Sequence, residues 1–260
     1  MKKMNAAMII TVLAFLMIVL ACNQTQTDNS ATDKKPADNT KTVNSPASSP
    51  AKTTTTTTTS APKDISGKYT VSGTNENGAG DYKGTLDVTK RDEVYQFSWD
   101  TAGKKFDGVG VQNASAAAVS FTVGTNGKGC GVVLYKINAD GSLDGKAGYW
   151  GVNESETEKA TRTSGSDLVG EYDTKGTNPE GKDYTGKLSV KAAGSGYAFS
   201  WAGANPLQGF GIKQGDSVAV GIGGEQCSFV SYVVNADGSL DGKWGSYGST
   251  SVGTESAKKQ

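Results

Sequence analysis

The nine residues Asn138-Ala139-Asp140-Gly141-Ser142-Leu143-Asp144-Gly145-Lys146 recur unchanged as Asn235 to Lys243. Aligning outward from the two copies pairs nearly everything after residue 63, so the chain contains a duplication. In each copy Asn and Asp can bond to backbone and Gly can take a positive φ, which describes a hairpin turn. A calcium loop is the competing reading, because Asp140-Gly141 and Asp237-Gly238 imitate the middle of an EF-hand. The spacing fails: Lys136 and Val233 occupy the first-ligand place, and Ala147 and Trp244 stand where a bidentate Glu is needed.

On either side of the turns the repeats alternate with period 2. Tyr82, Gly84, Leu86 and Val88 alternate with Lys83, Thr85, Asp87 and Thr89, and Tyr184, Gly186, Leu188 and Val190 answer them in the second repeat. The next strand puts Tyr95, Phe97 and Trp99 on one face, matched by Tyr197, Phe199 and Trp201, and these triplets are expected in a core. Seven or eight short strands fall in about 90 residues, joined by turns rich in Gly, Asn and Asp, so consecutive antiparallel hairpins are expected. The reading is all-β: two tandem small antiparallel up-and-down β-barrels, the first over residues 64–163 and the second over 168–257. A two-sheet sandwich is the alternative, but it needs longer crossing connections than the sequence offers. An eight-stranded interior is either filled by side chains or holds one small ligand, and the inward aromatic sets favour filling. Thr163 to Asp167 is short and polar and reads as the linker between the domains.

Composition excludes several function classes. Lys plus Arg and Asp plus Glu are 26 each, so no basic excess is present to hold nucleic acid. There is no histidine, which removes His triads, His metal sites and His pH switches. No cofactor or metal is implied.

Residues 1–22 read as an export signal. Lys2 and Lys3 precede an apolar run from Ala6 to Leu20, which is short for a membrane span. The ending Val19-Leu20-Ala21-Cys22 resembles the lipobox of bacterial lipoproteins, and that resemblance implies cleavage before Cys22 and acylation of its thiol. Several acyl chains anchor stably, each buried methylene contributing about 0.8 kcal/mol. Asn23 after the cysteine resembles the outer-membrane sorting pattern of enterobacteria. An ordinary secretory signal is the alternative. Residues 23–63, rich in Thr, Ser and Pro and including the run Thr53 to Thr59, cannot bury enough apolar surface to fold and are expected to be a disordered tether.

Cys130 and Cys227 occupy equivalent places, opposite in parity to the inward residues of the following strand. An exported protein could bridge them between domains, although two separate, partly covered thiols are the favoured expectation. The carboxylates are scattered through turns, and no pair spans a cleft in both repeats; Asp81 and Asp183, beside Tyr82 and Tyr184, are the best matched. Tyr149, Trp150, Trp244 and Tyr247 lie after the shared block and are the candidate contact aromatics, with core packing as the alternative.

The pattern Gly67, Tyr69, Gly73-Thr74-Asn75, Tyr82-Lys83-Gly84, Tyr95 to Trp99 and Asp140 to Gly145 recurs as Gly170, Tyr172, Gly176-Thr177-Asn178, Tyr184 to Gly186, Tyr197 to Trp201 and Asp237 to Gly242. The final Gly-Thr-Glu of the pattern appears only as Gly253-Thr254-Glu255, the first repeat having Glu156-Thr157-Glu158 in its place. This pattern resembles exported bacterial repeat domains, some of which carry the label fibronectin-binding protein. The resemblance implies the fold and transfers no binding residue. The expected function is a lipid-anchored, non-enzymatic binding module of the bacterial outer membrane, held to the membrane by its lipid and contacting an extracellular macromolecule such as a host matrix protein. A periplasm-facing small-molecule carrier in the manner of lipocalins or avidins is the alternative. An enzyme comes third, because no nucleophile or acid/base set can be assembled.

Overall fold

The computed structural model describes residues 63–203 and 206–260. The segments expected to be an export signal, an acylation site at Cys22 and a tether, up to residue 62, lie outside the described residues. The rest is all-β and forms two closed, antiparallel, eight-stranded barrels, as the alternation predicts.

The second barrel is one uninterrupted meander of β6 (Gly131–Ile137), β7 (Leu143–Tyr149), β8 (Glu156–Ser166), β9 (Val169–Thr177), β10 (Asp183–Ala193), β11 (Gly196–Ala202), β12 (Leu207–Gln214) and β13 (Ser217–Ile222). It closes where β13 pairs with β6, Val220 lying opposite Val133. The first barrel takes β1 (Gly67–Thr74), β2 (Asp81–Arg91), β3 (Val94–Thr101), β4 (Lys104–Gln112) and β5 (Ala116–Val123) from one end of the chain. From the other end it takes β14 (Ser228–Val234), β15 (Leu240–Ser246) and β16 (Gly253–Lys259). β5 pairs with β14, Val119 opposite Val230, and β1 pairs with β16.

The repeats at 64–163 and 168–257 are therefore not the barrels: each has given its last three strands to the other. Matched repeats carry nearly the same strands, so the sixth to eighth strands of either can complete either sheet, and periodicity alone cannot say which. Thr163 to Asp167 is correspondingly no interdomain linker. It belongs to β8 and the tight hairpin into β9, with Asp167 at φ 52° and Gly165 at φ 93°. Small polar residues suit a hairpin as well as a spacer.

The chain crosses between barrels at 124–130 and again at 223–227, and the Cys130–Cys227 disulfide joins the two crossings, 97 residues apart in sequence. The expectation of separate thiols is corrected here. Pointing away from the interiors, as their parity requires, places both cysteines at the neck where the crossings meet.

The barrels also share an apolar seam. Val94, Val109, Val111, Ala116 and Ala118 of the first pack with Val132, Leu134 and Ala219 of the second, and Phe210 and Ile212 meet Phe229 in a smaller cluster. Strands β5, β6, β13 and β14 are consequently covered on both faces. Such strands read as continuous apolar runs, not as alternation.

Each interior is filled at one end. Ile65 and Leu168, nearly fully buried, close the floors, their carbonyls accepting the Tyr69 and Tyr172 hydroxyls at 2.7 and 2.8 Å. Above them Leu86, Val88 and Phe97, or Leu188, Val190 and Phe199, fill the section. The duplicated Asn-Ala-Asp-Gly stretch turns the chain at this filled end. Ser142 donates to Asp140 and Asn138 to Asp144, Ser239 and Asn235 repeat the pattern, and Gly141 and Gly238 take φ of 78° and 86°. The hairpin reading stands.

Candidate functional site

The upper half of each barrel is not filled. Trp99 on β3, Tyr82 on β2, Tyr232 on β14 and Glu255 on β16 converge inside the first barrel, contributed by both repeats. One carboxyl collects three donors: Trp99 Nε1 at 3.0 Å and the Tyr232 hydroxyl on Oε1, and the Tyr82 hydroxyl at 2.9 Å on Oε2. Burial lifts the Glu255 carboxyl above the ordinary range, while the three donors pull it back. Burial first, then the nearby carboxylate, push the Tyr82 and Tyr232 hydroxyls upward, so both stay protonated donors.

The second barrel repeats the arrangement. Glu158 on β8 accepts from the Tyr135 hydroxyl and from Trp201 Nε1 at 3.2 Å on Oε1, and from the Tyr184 hydroxyl at 3.1 Å on Oε2. Its carboxyl is also raised, with desolvation the leading cause. Two glycines explain how the rings fit. A Cβ on Gly242 would lie 2.7 Å from the Tyr232 ring, and one on Gly145 would lie 2.5 Å from that of Tyr135, so only glycine lets these rings lie flat on the neighbouring strand.

Above each carboxylate a cavity opens toward the end that bears the β1–β2 and β3–β4 turns, or their counterparts. The first holds about 260 Å³ and is walled by Phe106, Phe121, Val230 and Trp244. The second holds about 500 Å³, with Val133, Ala147, Leu207 and Ile222 in its wall. Filling was the favoured expectation for the interiors; the structure shows filling below and a cavity above, because the aromatic triplets are long enough to pack only one half.

The candidate contact aromatics do not share a surface. Tyr149 and Trp244 line the second and first cavities, Tyr149 donating to Glu156 at 3.0 Å and Trp244 to the Thr74 carbonyl at 3.2 Å. Trp150 packs on the seam between barrels, and Tyr247 lies beside Phe210, with ring centroids 6.2 Å apart. Asp183 caps a hairpin by accepting from Thr177 at 2.8 Å, whereas Asp81 sits at the first mouth. Glu158 and Glu255 were missed as site residues. The signal was their shared place in Thr-Glu, two residues from a Gly or Glu, but their partners are far away in sequence and belong to the exchanged strands. Among the described residues no group of three or more acidic or thiol side chains could hold a metal ion. No family model matches the chain, and neither a curated protein nor a solved structure matches it.

Proposed function

We propose that the chain is a non-enzymatic carrier of small molecules, with one binding site in the open half of each barrel. The observation that carries this reading is the recurrence of the Trp-Tyr-Tyr-Glu set beneath a cavity in both barrels. Small-molecule sites are concave, largely apolar, and oriented by a few converging polar groups. The aromatic walls supply contact area, and the carboxyl with its hydroxyls supplies the polar anchor. Each carboxyl is held by three donors, an arrangement suited to a fixed recognition group. The Val19 to Cys22 lipobox adds an envelope setting, in which acylated Cys22 tethers the barrels to the outer membrane.

Titration with 2-phenylethanol, followed by calorimetry and by the indole N–H signals of the four tryptophans, tests the carrier reading. Two sites per chain, reported by Trp99 with Trp244 and by Trp201, are expected. If no small aromatic binds either barrel, the macromolecular-contact reading replaces this one. Loss of palmitate incorporation in Cys22→Ala, and its retention in the native protein, checks the anchor.

A further inference from the structure

The two cavities are equivalent in plan but differ in coupled substitutions. In the first, Trp244 lies across Gly253, its strand partner, and a Cβ there would come within 2.4 Å of the Trp244 Nε1. In the second the corresponding partners are Ala147 and Glu156. Bulk has been exchanged for charge: without an indole at 147, a carboxylate occupies the space at 156. Phe106 and Phe121 are matched by Leu207 and Ile222, which widens the second cavity further.

Electrostatics follow the same division. The first cavity is lined by Asp81, Glu255 and Lys104. The second is lined by Glu156, Glu158 and, at its mouth, Glu180, and among the described residues no Lys or Arg lines it. Among the described residues the ion pairs are Lys68–Asp87, Lys105–Asp100, Lys159–Asp144 and Lys187–Asp173, so neither Glu156 nor Glu158 has a cationic partner. Tyr184 bridges the two carboxylates, Tyr149 holds the other oxygen of Glu156, and Trp201 and Tyr135 complete an aromatic surround.

Resting on the carrier reading, we propose that the second cavity binds an organic cation, an ammonium group seated between Glu156 and Glu158 with its hydrocarbon part against Tyr149, Tyr184 and Trp201. Aromatic faces attract a cation through their quadrupoles, and the attraction grows as water is excluded. Carboxylates without a protein cation give the ligand the charge to complete. The first cavity, narrower, lined by a lysine as well as by Asp81 and Glu255, and with Gly253 where the second has Glu156, takes a neutral aromatic molecule instead.

Three probes of nearly one shape separate charge from fit: 2-phenylethylammonium, 2-phenylethanol and phenylacetate, titrated into the full chain by calorimetry with the Trp201 indole signal as site reporter. The cation is expected to bind the second site at least tenfold tighter than the alcohol, and phenylacetate weakest. Glu156→Gln, which keeps the shape, should cut the preference for the cation over 2-phenylethanol at least fivefold. Ala147→Trp combined with Glu156→Gly should convert the site to the first type and abolish the preference. Equal or tighter binding of the alcohol at Trp201 overturns the cation proposal and leaves the carrier reading standing. Absence of binding by all three probes overturns both. An unchanged melting temperature of Glu156→Gln excludes misfolding as the cause of a lost signal.

Discussion

Replacing Glu255 by Gln and by Leu separates what its hydrogen bonds contribute from what its charge costs. Trp99 Nε1 and the Tyr232 hydroxyl, both buried, point at Oε1, and Tyr82 reaches Oε2 from the cavity wall. Gln keeps an acceptor for the first two, and its amide can donate to Tyr82 once that hydroxyl rotates, so Glu255→Gln should cost under about 1 kcal/mol at acid pH. Leu strands two buried donors at about 1–3 kcal/mol each, giving a loss of about 2–6 kcal/mol. The pH dependence has a definite sign. Burial raises the folded-state pKa of Glu255 above its ordinary value of 4.5. Its contribution is therefore complete below that pH and is lost as pH rises through the folded-state value, with a slope of at most about 1.4 kcal/mol per pH unit. Urea unfolding of the native chain and both variants at pH 4 and pH 8 reads all of this. Glu255→Gln should gain on the native protein between the two pH values, and Glu255→Leu should be far less stable than Glu255→Gln at pH 4. Equal losses for Gln and Leu, or a native protein that gains on Glu255→Gln as pH rises, would refute the reasoning.

Other outcomes follow from the same geometry. The double substitution Cys130→Ser with Cys227→Ser opens a loop of 97 residues that encloses the second barrel, and should cost about 4.7 kcal/mol on the chain-entropy account; a loss below about 1 kcal/mol in urea would contradict it. Ala147→Trp alone should destabilise the chain in urea unfolding, because in the first barrel a Cβ at the partner position would come within 2.4 Å of the indole nitrogen, and adding Glu156→Gly should relieve the loss. In spectrophotometric titration Tyr135 and Tyr232 should ionise only as the chain unfolds, because burial and an adjacent carboxylate both oppose the charged form, whereas Tyr95 should ionise near pH 12. Tyr184→Phe removes the bridge between Glu156 and Glu158 and should destabilise by about 1 kcal/mol in chemical unfolding.

Strand class, strand number and the hairpin at Asn138 to Lys146 were legible in the sequence because period-2 alternation and turn chemistry are local. The partner of each strand was not. By sequence Val119 suits a valine at 133 as well as one at 230, and the crossings put it opposite Val230, leaving Val133 to Val220. The apolar runs of β5, β6, β13 and β14 did carry a warning, since a strand open to water on one face has no reason to be apolar on both. The cavities escaped for a related reason. Trp99 with Glu255, and Trp201 with Glu158, meet across the exchange, so aligning the repeats could show that the residues match but not that they touch. The disulfide was legible as an option, and its place at the neck follows from the exchange.

Strand exchange and the shared sites stand or fall together, because Trp99 and Tyr82 come from one repeat and Tyr232 and Glu255 from the other. The nuclear Overhauser contacts of the Trp99 indole N–H test this directly in the native protein. The structure requires contacts to the Tyr232 ring, with Trp201 in contact with the Tyr135 ring in the same spectrum. Contacts of Trp99 with Tyr135 and of Trp201 with Tyr232 would mean that each repeat closes its own barrel, and would contradict the account.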